Sequence, residues 1–324
     1  MRKISYAEAI REATDQMMVQ DSHVFLIGQG VTSPWYVGNT TNGLLEKFGE
    51  TRVIDTPVSE LAMSGVAVGS AATGLRPVLV FPRMDFMYLA MDQLINQAAN
   101  WYYMTGGKVS VPLTIRAIIN RGGEQAAQHS QALQAIFSHI PGLKVVLPAS
   151  PYDAKGLLIS SIKDGNPVVY IDDRWLYEEQ EDVPEEIYSV PIGKGKIKRE
   201  GKDITIAAFS YLVKEALKAA EELSKEGIEC EVIDLRSAKP FDEELLIESV
   251  KKTNRLVVAD SGWETGGVAA QIASRIYSKL LKDLKAAIEI VALPDVPAPA
   301  SSSLEKGFYP RKDDIIKAVR KTLK

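Results

Sequence analysis

The chain has 324 residues, of which 46% are hydrophobic and 25% are charged, the composition of an ordinary globular protein. This length exceeds that of one ordinary hydrophobic core, so we expect two domains. A formal net charge of -4 gives no electrostatic reason to expect nucleic acid or an anionic membrane surface as a partner.

The single cysteine, Cys230, cannot form an internal disulfide, which suits a reducing cytoplasm. It lies in the strand-like run "ECEVIDL", where we expect it to be buried. No stretch approaches the length needed to cross a bilayer, and the N-terminus turns polar and helical at once. We therefore expect a cytoplasmic protein without a signal peptide.

Short apolar runs rich in β-branched residues recur along the first half of the chain, with helical stretches between them. In chain order they are "VFLIG", "RVIDTP", "RPVLVF", "VPLTIRAI", "LKVVLPA" and "PVVYID". Apolar strands that alternate with helices are typical of a parallel sheet covered on both faces.

This alternation stops at Glu178 to Gly201, a charged stretch with two prolines and no sustained period. It resumes with "DITIAAF", "ECEVIDL", "RLVVAD" and "AIEIVALP", separated by helices over Tyr211 to Gly227 and Gly266 to Leu281. We predict an α/β protein with two parallel-sheet domains, residues 1–180 and the smaller 201–324, joined by a linker at 181–200.

The stretch "RVIDTPVSELAMSG" places one carboxylate, Glu60, just past a predicted strand. The strand should end at Pro57 and Ser59 can serve as N-cap, so Glu60 falls in the first helical turn. One interpretation is that the acid only complements the helix dipole. The other is a fixed functional acid, because the small residues of this helix permit tight packing and ligands bind at the carboxyl ends of such strands.

Only three histidines occur in the chain. His23 lies in a polar turn and should be on the surface, whereas His139 lies between a helix and a strand and suits a structural role. His129, in "GGEQAAQHSQ", follows a glycine-containing loop and is predicted to begin a helix, where its side chain can point into a cleft.

Several long stretches resemble the β subunits of thiamine-diphosphate-dependent 2-oxo acid dehydrogenases, the E1 components of the pyruvate, branched-chain and acetoin complexes. They include "KFGETRVIDTPVSE", "AVGSAATGLRPVLVF", "AAQHSQALQAIFSHIPGLKVVLPASPYDAKGLL" and "PDVPAPASSSLEKGFYP". The resemblance runs over nearly the whole chain in the family's order. It implies a pyrimidine-binding domain followed by a transketolase C-terminal-like domain.

The resemblance implies roles for four residues. Glu60 would hydrogen-bond N1′ of the cofactor's aminopyrimidine and so control its tautomer. Phe86 would stack on that ring, and Val58 would form part of the same pocket wall. His129 would face the reacting carbon as a proton donor or guide the lipoyl group.

The resemblance also implies partners and ions. The chain lacks the GDG motif with which thiamine enzymes bind Mg²⁺ and the diphosphate, so an α subunit would hold both, in an α2β2 heterotetramer. The acyl group of a decarboxylated 2-oxo acid would pass to lipoamide on an E2 core. In several family members a structural potassium ion is bound by oxygen atoms at positions that match Leu113, Ser161, Asp164 and Asn166.

Three positions depart from the family's pattern. An acid is common where this chain has Gln29 and Val80, and an aromatic residue where it has Met84. These departures leave the specific 2-oxo acid and its acceptor open. Two alternative functions also stay open: a split transketolase that moves ketol units between sugars, and a noncatalytic scaffold of the same fold.

Overall fold

The computed structural model describes residues 2–33 and 35–324. The chain forms two compact units. The first comprises the residues up to Arg121 together with Gln128–Ile192, and the second comprises Gly122–Ala127 and Gly193–Lys324. The division between Ile192 and Gly193 falls within the expected linker 181–200, and the short segment Gly122–Ala127 groups with the second unit.

Parallel strands form the main sheet of the first unit, in the order β6-β7-β5-β4-β2-β3. A separate antiparallel pair joins β1 to β8, so part of the expected linker is ordered by pairing with the N-terminus. The strands of this unit are β1 Arg2–Ser5, β2 Val24–Gly28, β3 Val53–Asp55, β4 Arg76–Phe81, β5 Thr114–Ile119, β6 Lys144–Val146, β7 Val168–Asp173 and β8 Gln180–Val183.

Helices cover this sheet, and α1 packs against α6. A capping box starts α1, since Ser5 and Glu8 each accept a hydrogen bond from the other's backbone N–H. The helices are α1 Tyr6–Gln20, α2 Leu44–Phe48, α3 Glu60–Ala72, α4 Ala99–Met104, α5 Gln134–His139 and α6 Pro151–Lys163, with 3₁₀ helices at Met84–Ala90 and Arg174–Leu176 and a π-helix at Asp92–Ala98.

A buried polar network lies within the first unit. The Arg116 guanidinium binds both carboxylate oxygens of Asp172, with Nε···Oδ1 at 3.1 Å and Nη2···Oδ2 at 2.7 Å. It also donates to the hydroxyls of Thr40 and Tyr177. Burial lowers the pKa of Arg116, but the charge and hydrogen bond of Asp172 together with the neighbouring tyrosines outweigh it, so the pKa lies above its usual value. This network ties β5 and β7 to the loop after β2.

The second unit has strands in the order β14-β13-β10-β11-β9, and all neighbours are parallel except β9, which runs antiparallel to β11. Its strands are β9 Lys196–Arg199, β10 Ile204–Ala208, β11 Cys230–Asp234, β12 Ser237–Lys239, β13 Leu256–Trp263 and β14 Glu289–Leu293. Its helices are α7 Tyr211–Ser224, α8 Glu243–Thr253, α9 Val268–Leu280, α10 Ser302–Phe308 and α11 Lys312–Leu323.

The predicted α/β class with two sheet-based domains is confirmed, and the predicted strands recur in the expected order. Cys230 is fully buried in β11, as its apolar neighbours indicated. Among the described residues, no helix combines the length and the hydropathy that a membrane crossing requires.

Candidate active site

Glu60 is the first residue of α3 and is 94% buried, with a relative exposure of 6%. The preceding strand, β3, ends at Asp55 rather than at Pro57, and the Ser59 side chain makes no capping bond. In the described part of the chain, no group donates a hydrogen bond to the Glu60 carboxylate or pairs with its charge. A favourable interaction with the helix dipole does not require the acid to lie in a largely buried position without a partner, so the helix dipole alone does not account for Glu60.

The outer face of α3 is open in this chain. Val58, Leu61 and Val66 are 69%, 52% and 58% exposed. The small residues of α3 were expected to permit tight packing within the chain. At Gly69 this packing is not found, because a Cβ added there would meet no atom within 4 Å. The face is therefore apolar and uncovered by the described residues.

Phe86 and His129 meet at the same place. Phe86 lies in the 3₁₀ helix Met84–Ala90, which packs against α3. The ring centroids of Phe86 and His129 are 5.5 Å apart and their planes are perpendicular. The expectation that His129 begins a helix is wrong, because it lies in a turn that precedes α5. Of the other histidines, His23 is exposed, as expected.

Asp85 holds the His129 turn against the 3₁₀ helix. Its Oδ1 accepts a hydrogen bond from the backbone N–H of Gln131 at 3.1 Å, while its Oδ2 is buried without a partner in the described structure. Burial raises the pKa of Asp85, against the opposing effects of the Gln131 hydrogen bond and of His129. The sequence analysis did not identify this residue, although it directly precedes Phe86.

Comparison with known proteins identifies the family. The model described as "Transketolase, pyrimidine binding domain" matches residues 2–180, and the model described as "Transketolase, C-terminal domain" matches residues 193–315. The pyruvate dehydrogenase E1 component subunit beta of Rickettsia felis is 46% identical over 98% of both chains. The chain belongs to this family of E1 β subunits.

A further relative and one solved structure are also similar to this chain. The acetoin:2,6-dichlorophenolindophenol oxidoreductase subunit beta of Cupriavidus necator is 44% identical and covers 100% of this chain and 98% of its own. A solved structure named "Split gene transketolase, inactive beta4 tetramer" has a TM-score of 0.81 and covers 99% of this chain and 98% of that one. At 24% identity, that likeness shows a common fold alone.

Two of the three departures from the E1 β pattern lie in the core. Val80 in β4 and Met84 in the 3₁₀ helix are both fully buried. Gln29, directly after β2, donates from Nε2 to the Tyr36 hydroxyl at 3.0 Å. The loop after β2 is further held by Asp55, whose carboxylate accepts hydrogen bonds from the backbone of Gly30 and Thr32.

A cationic cluster occurs beside this loop, consisting of Arg83, Arg174 and Tyr36. The Arg83 guanidinium lies 5.7 Å from the centroid of the Tyr36 ring, and Arg174 donates to the Tyr36 carbonyl. The sequence analysis did not single out these residues. Their positions just after β4 and β7, at the carboxyl edge of a parallel sheet, were the available signal.

The four residues expected to bind potassium lie around the loop that joins α6 to β7. The Leu113 carbonyl accepts from Val168 N, and Asp164 N donates to the Ser161 carbonyl. The Asn166 Oδ1 is buried without a hydrogen-bond partner among the described residues. Lys144 forms an ion pair with Asp164, so this loop already carries one cationic side chain.

Proposed function

We propose that this chain is the β subunit of a thiamine-diphosphate-dependent 2-oxo acid dehydrogenase E1 and is active only with an α subunit. The observation that carries the proposal is that Glu60 is a largely buried residue whose carboxylate has no partner among the described residues. It lies at the start of α3, against the 3₁₀ helix that carries Phe86, and Phe86 in turn contacts His129.

These residues fit the pyrimidine half of the cofactor. Glu60 offers an acceptor that no described group satisfies, so it can share a proton with a ring nitrogen. Phe86 is half-buried and offers an aromatic face, and Val58 provides an exposed apolar wall before the helix. When bound, thiamine diphosphate supplies the carbon nucleophile and the electron sink that decarboxylation requires. His129 would deliver a proton at the reacting carbon.

The α subunit would hold Mg²⁺ and the diphosphate, because this sequence lacks the corresponding motif. The apolar outer face of α3, with Leu61 and Val66 exposed, supports docking of a partner chain next to Glu60. We infer an α2β2 assembly in the cytoplasm that decarboxylates a 2-oxo acid and transfers the acyl group to lipoyl-bearing E2.

The potassium assignment is part of the same proposal. The buried Asn166 Oδ1 without a partner among the described residues supports a hard cation at the α6–β7 loop. Replacement of potassium chloride by choline chloride should lower the thermal unfolding midpoint of the isolated chain, and sodium chloride should restore it only in part. Equal midpoints in all three salts would remove potassium from the proposal.

The test is reconstitution with the α chain that co-purifies with this protein. CO₂ release from pyruvate should require both chains, and calorimetry should detect thiamine diphosphate only with the assembled protein. Glu60→Gln should lower kcat by about 10²- to 10⁴-fold. Glu46→Gln, which removes an exposed acid from α2, should leave activity unchanged.

Three results would contradict the proposal. Full activity from this chain alone would show that the site is not shared. Assembly with the α chain without any decarboxylation, and with no effect of Glu60→Gln on cofactor affinity, would favour the scaffold, and ketol transfer between sugars without decarboxylation would favour the split transketolase.

A further inference from the structure

The cationic cluster of Arg83, Arg174 and Tyr36 contains two arginines without a carboxylate partner among the described residues, whereas the buried arginines of the first unit have one. Arg116 and Arg121 each pair with an aspartate, at 2.7 Å and 2.6 Å. Arg83 and Arg174 are half-buried, and in the described part of the chain neither has a carboxylate within ion-pair distance. The nearest acid that acts on Arg83 is Asp85, which is engaged with a backbone N–H.

Both guanidinium groups also contain a buried N–H without an acceptor. The Nε atoms of Arg83 and Arg174 are shielded from solvent and have no hydrogen-bond partner in the described structure. A buried donor without an acceptor is costly, and a buried cation without a counter-charge more so. The cluster is therefore unsatisfied until an anion binds.

Tyr36 fixes the directions of the two groups. Its ring lies under the Arg83 guanidinium, its carbonyl accepts from Arg174, and its hydroxyl accepts from Gln29. Both guanidinium groups thus contact the same residue. Burial, and after it the charge of Arg174, lowers the pKa of Arg83. An amide at position 29 brings no negative charge to this pair, whereas the family commonly has an acid there.

The cluster adjoins the proposed active site. The Arg83 carbonyl accepts from the backbone N–H of Phe86 at 3.2 Å, so both residues belong to one turn of 3₁₀ helix. Three residues of such a helix rise about 6 Å. The backbone of Arg83 therefore lies one turn from that of Phe86, the residue on which the cofactor's pyrimidine is proposed to stack.

We propose that Arg83 and Arg174 form a subsite for a second carboxylate, so that the preferred substrates are dicarboxylic 2-oxo acids. The planar guanidinium fork matches a carboxylate. Arg83 Nη1 donates to the Pro82 carbonyl at 2.8 Å and Arg174 Nη2 donates to the Tyr36 carbonyl, and the remaining N–H groups of the two arginines can bind an anion. Phosphate is less suitable, since the diphosphate is assigned to the partner chain. This inference rests on the proposed function and specifies its substrate class.

Selectivity of the reconstituted enzyme is the first test. We expect kcat/KM to be higher for 2-oxoglutarate than for pyruvate. Arg83→Gln and Arg174→Gln should each lower the ratio of the two values about 10- to 100-fold. Arg11→Gln, which removes an exposed arginine from α1, is the matched control and should leave the ratio unchanged.

Equilibrium binding is the second test and needs no turnover. Calorimetry of the assembled protein should detect glutarate but not butyrate, which lacks the second carboxylate. Arg83→Gln should weaken glutarate binding to the same extent as it lowers the selectivity ratio. If the proposed function is wrong but this subsite exists, glutarate will bind while neither 2-oxo acid is decarboxylated.

Four outcomes would overturn the subsite. Glutarate could fail to bind, or it could bind both arginine variants as tightly as it binds the unsubstituted protein. The variants could leave selectivity unchanged. The variants could also leave selectivity unchanged but weaken assembly with the α chain, as measured by sedimentation. That result would show that a carboxylate of the partner chain pairs with these arginines.

Discussion

Replacement of Asp172 by asparagine removes the only carboxylate that contacts Arg116 among the described residues. Both side chains are almost fully buried, at 2% and 0% exposure. Asparagine keeps one acceptor oxygen, so part of the hydrogen bonding survives while the negative charge is lost. The guanidinium is then left as a buried cation that water cannot reach.

Loss of one partner from a buried ion pair costs about 3–5 kcal/mol. We expect a value of about 3 kcal/mol for Asp172→Asn, because the hydroxyls of Thr40 and Tyr177 remain in contact with Arg116. Against a typical folding free energy of about 5–15 kcal/mol, this is a large fraction. The double variant Arg116→Leu with Asp172→Leu should recover most of the loss, since no buried charge remains.

Urea unfolding followed by tryptophan fluorescence can measure this loss in the first unit. Three of the four tryptophans, Trp35, Trp101 and Trp175, lie in that unit, so a Trp263→Phe background restricts the signal to it. The matched control is Asp15→Asn, which breaks an exposed pair with Lys47 and should cost less than about 1 kcal/mol. If Asp172→Asn were no more destabilising than Asp15→Asn, the reasoning from burial would be refuted.

Three further predictions concern other parts of the chain. Burial raises the pKa of the Cys230 thiol to about 12, so it should resist iodoacetamide at pH 8 until urea unfolds the protein. Between pH 9 and pH 12 the folded chain therefore keeps the thiol proton that the unfolded chain loses. In this pH range the thiol should lower the free energy of unfolding by about 1.4 kcal/mol for each pH unit. The Cys230→Ala variant should not show this pH dependence. Gly28→Ala should lower the unfolding midpoint, because its Cβ would lie 2.4 Å from the Val80 carbonyl oxygen, whereas Gly165→Ala, with no atom within 4 Å, should be tolerated. Asp85→Ala should lower kcat of the assembled enzyme. Asp85→Asn should lower kcat less, since asparagine can still accept the hydrogen bond from the backbone of the His129 turn. Equal kcat values for the two variants would contradict an anchoring role of Asp85.

The sequence was sufficient for much of the candidate site. The position of Glu60 follows from local rules, because a strand, a short turn and a helix made of small residues put that acid into a first turn. The match to the E1 β family added Phe86 and His129, which geometry brings into ring contact. A lone histidine in a polar loop carries no such information by itself.

Local rules failed where contacts between distant segments decide the outcome. His129 was expected at a helix start, but the Asp85 carboxylate holds the backbone beside it in a turn. The stretch 181–200 lacks an internal period, yet β8 and β9 form there because edge strands β1 and β11 offer unpaired backbone groups. Pairing of this kind leaves no periodic signal in the strand that is added.

The order of strands and helices, the family and the acid proposed to bind the cofactor were determined by the sequence itself, since apolar periodicity and motif spacing are properties of neighbouring residues. Tertiary structure alone decided which arginines are neutralised. Arg116 and Arg83 look alike in the sequence, but adjacent strands give Arg116 an aspartate, whereas chain packing gives Arg83 a second arginine and an aromatic ring. The balance of buried charge depends on which segments meet in space, and it is this balance that points to an acidic substrate.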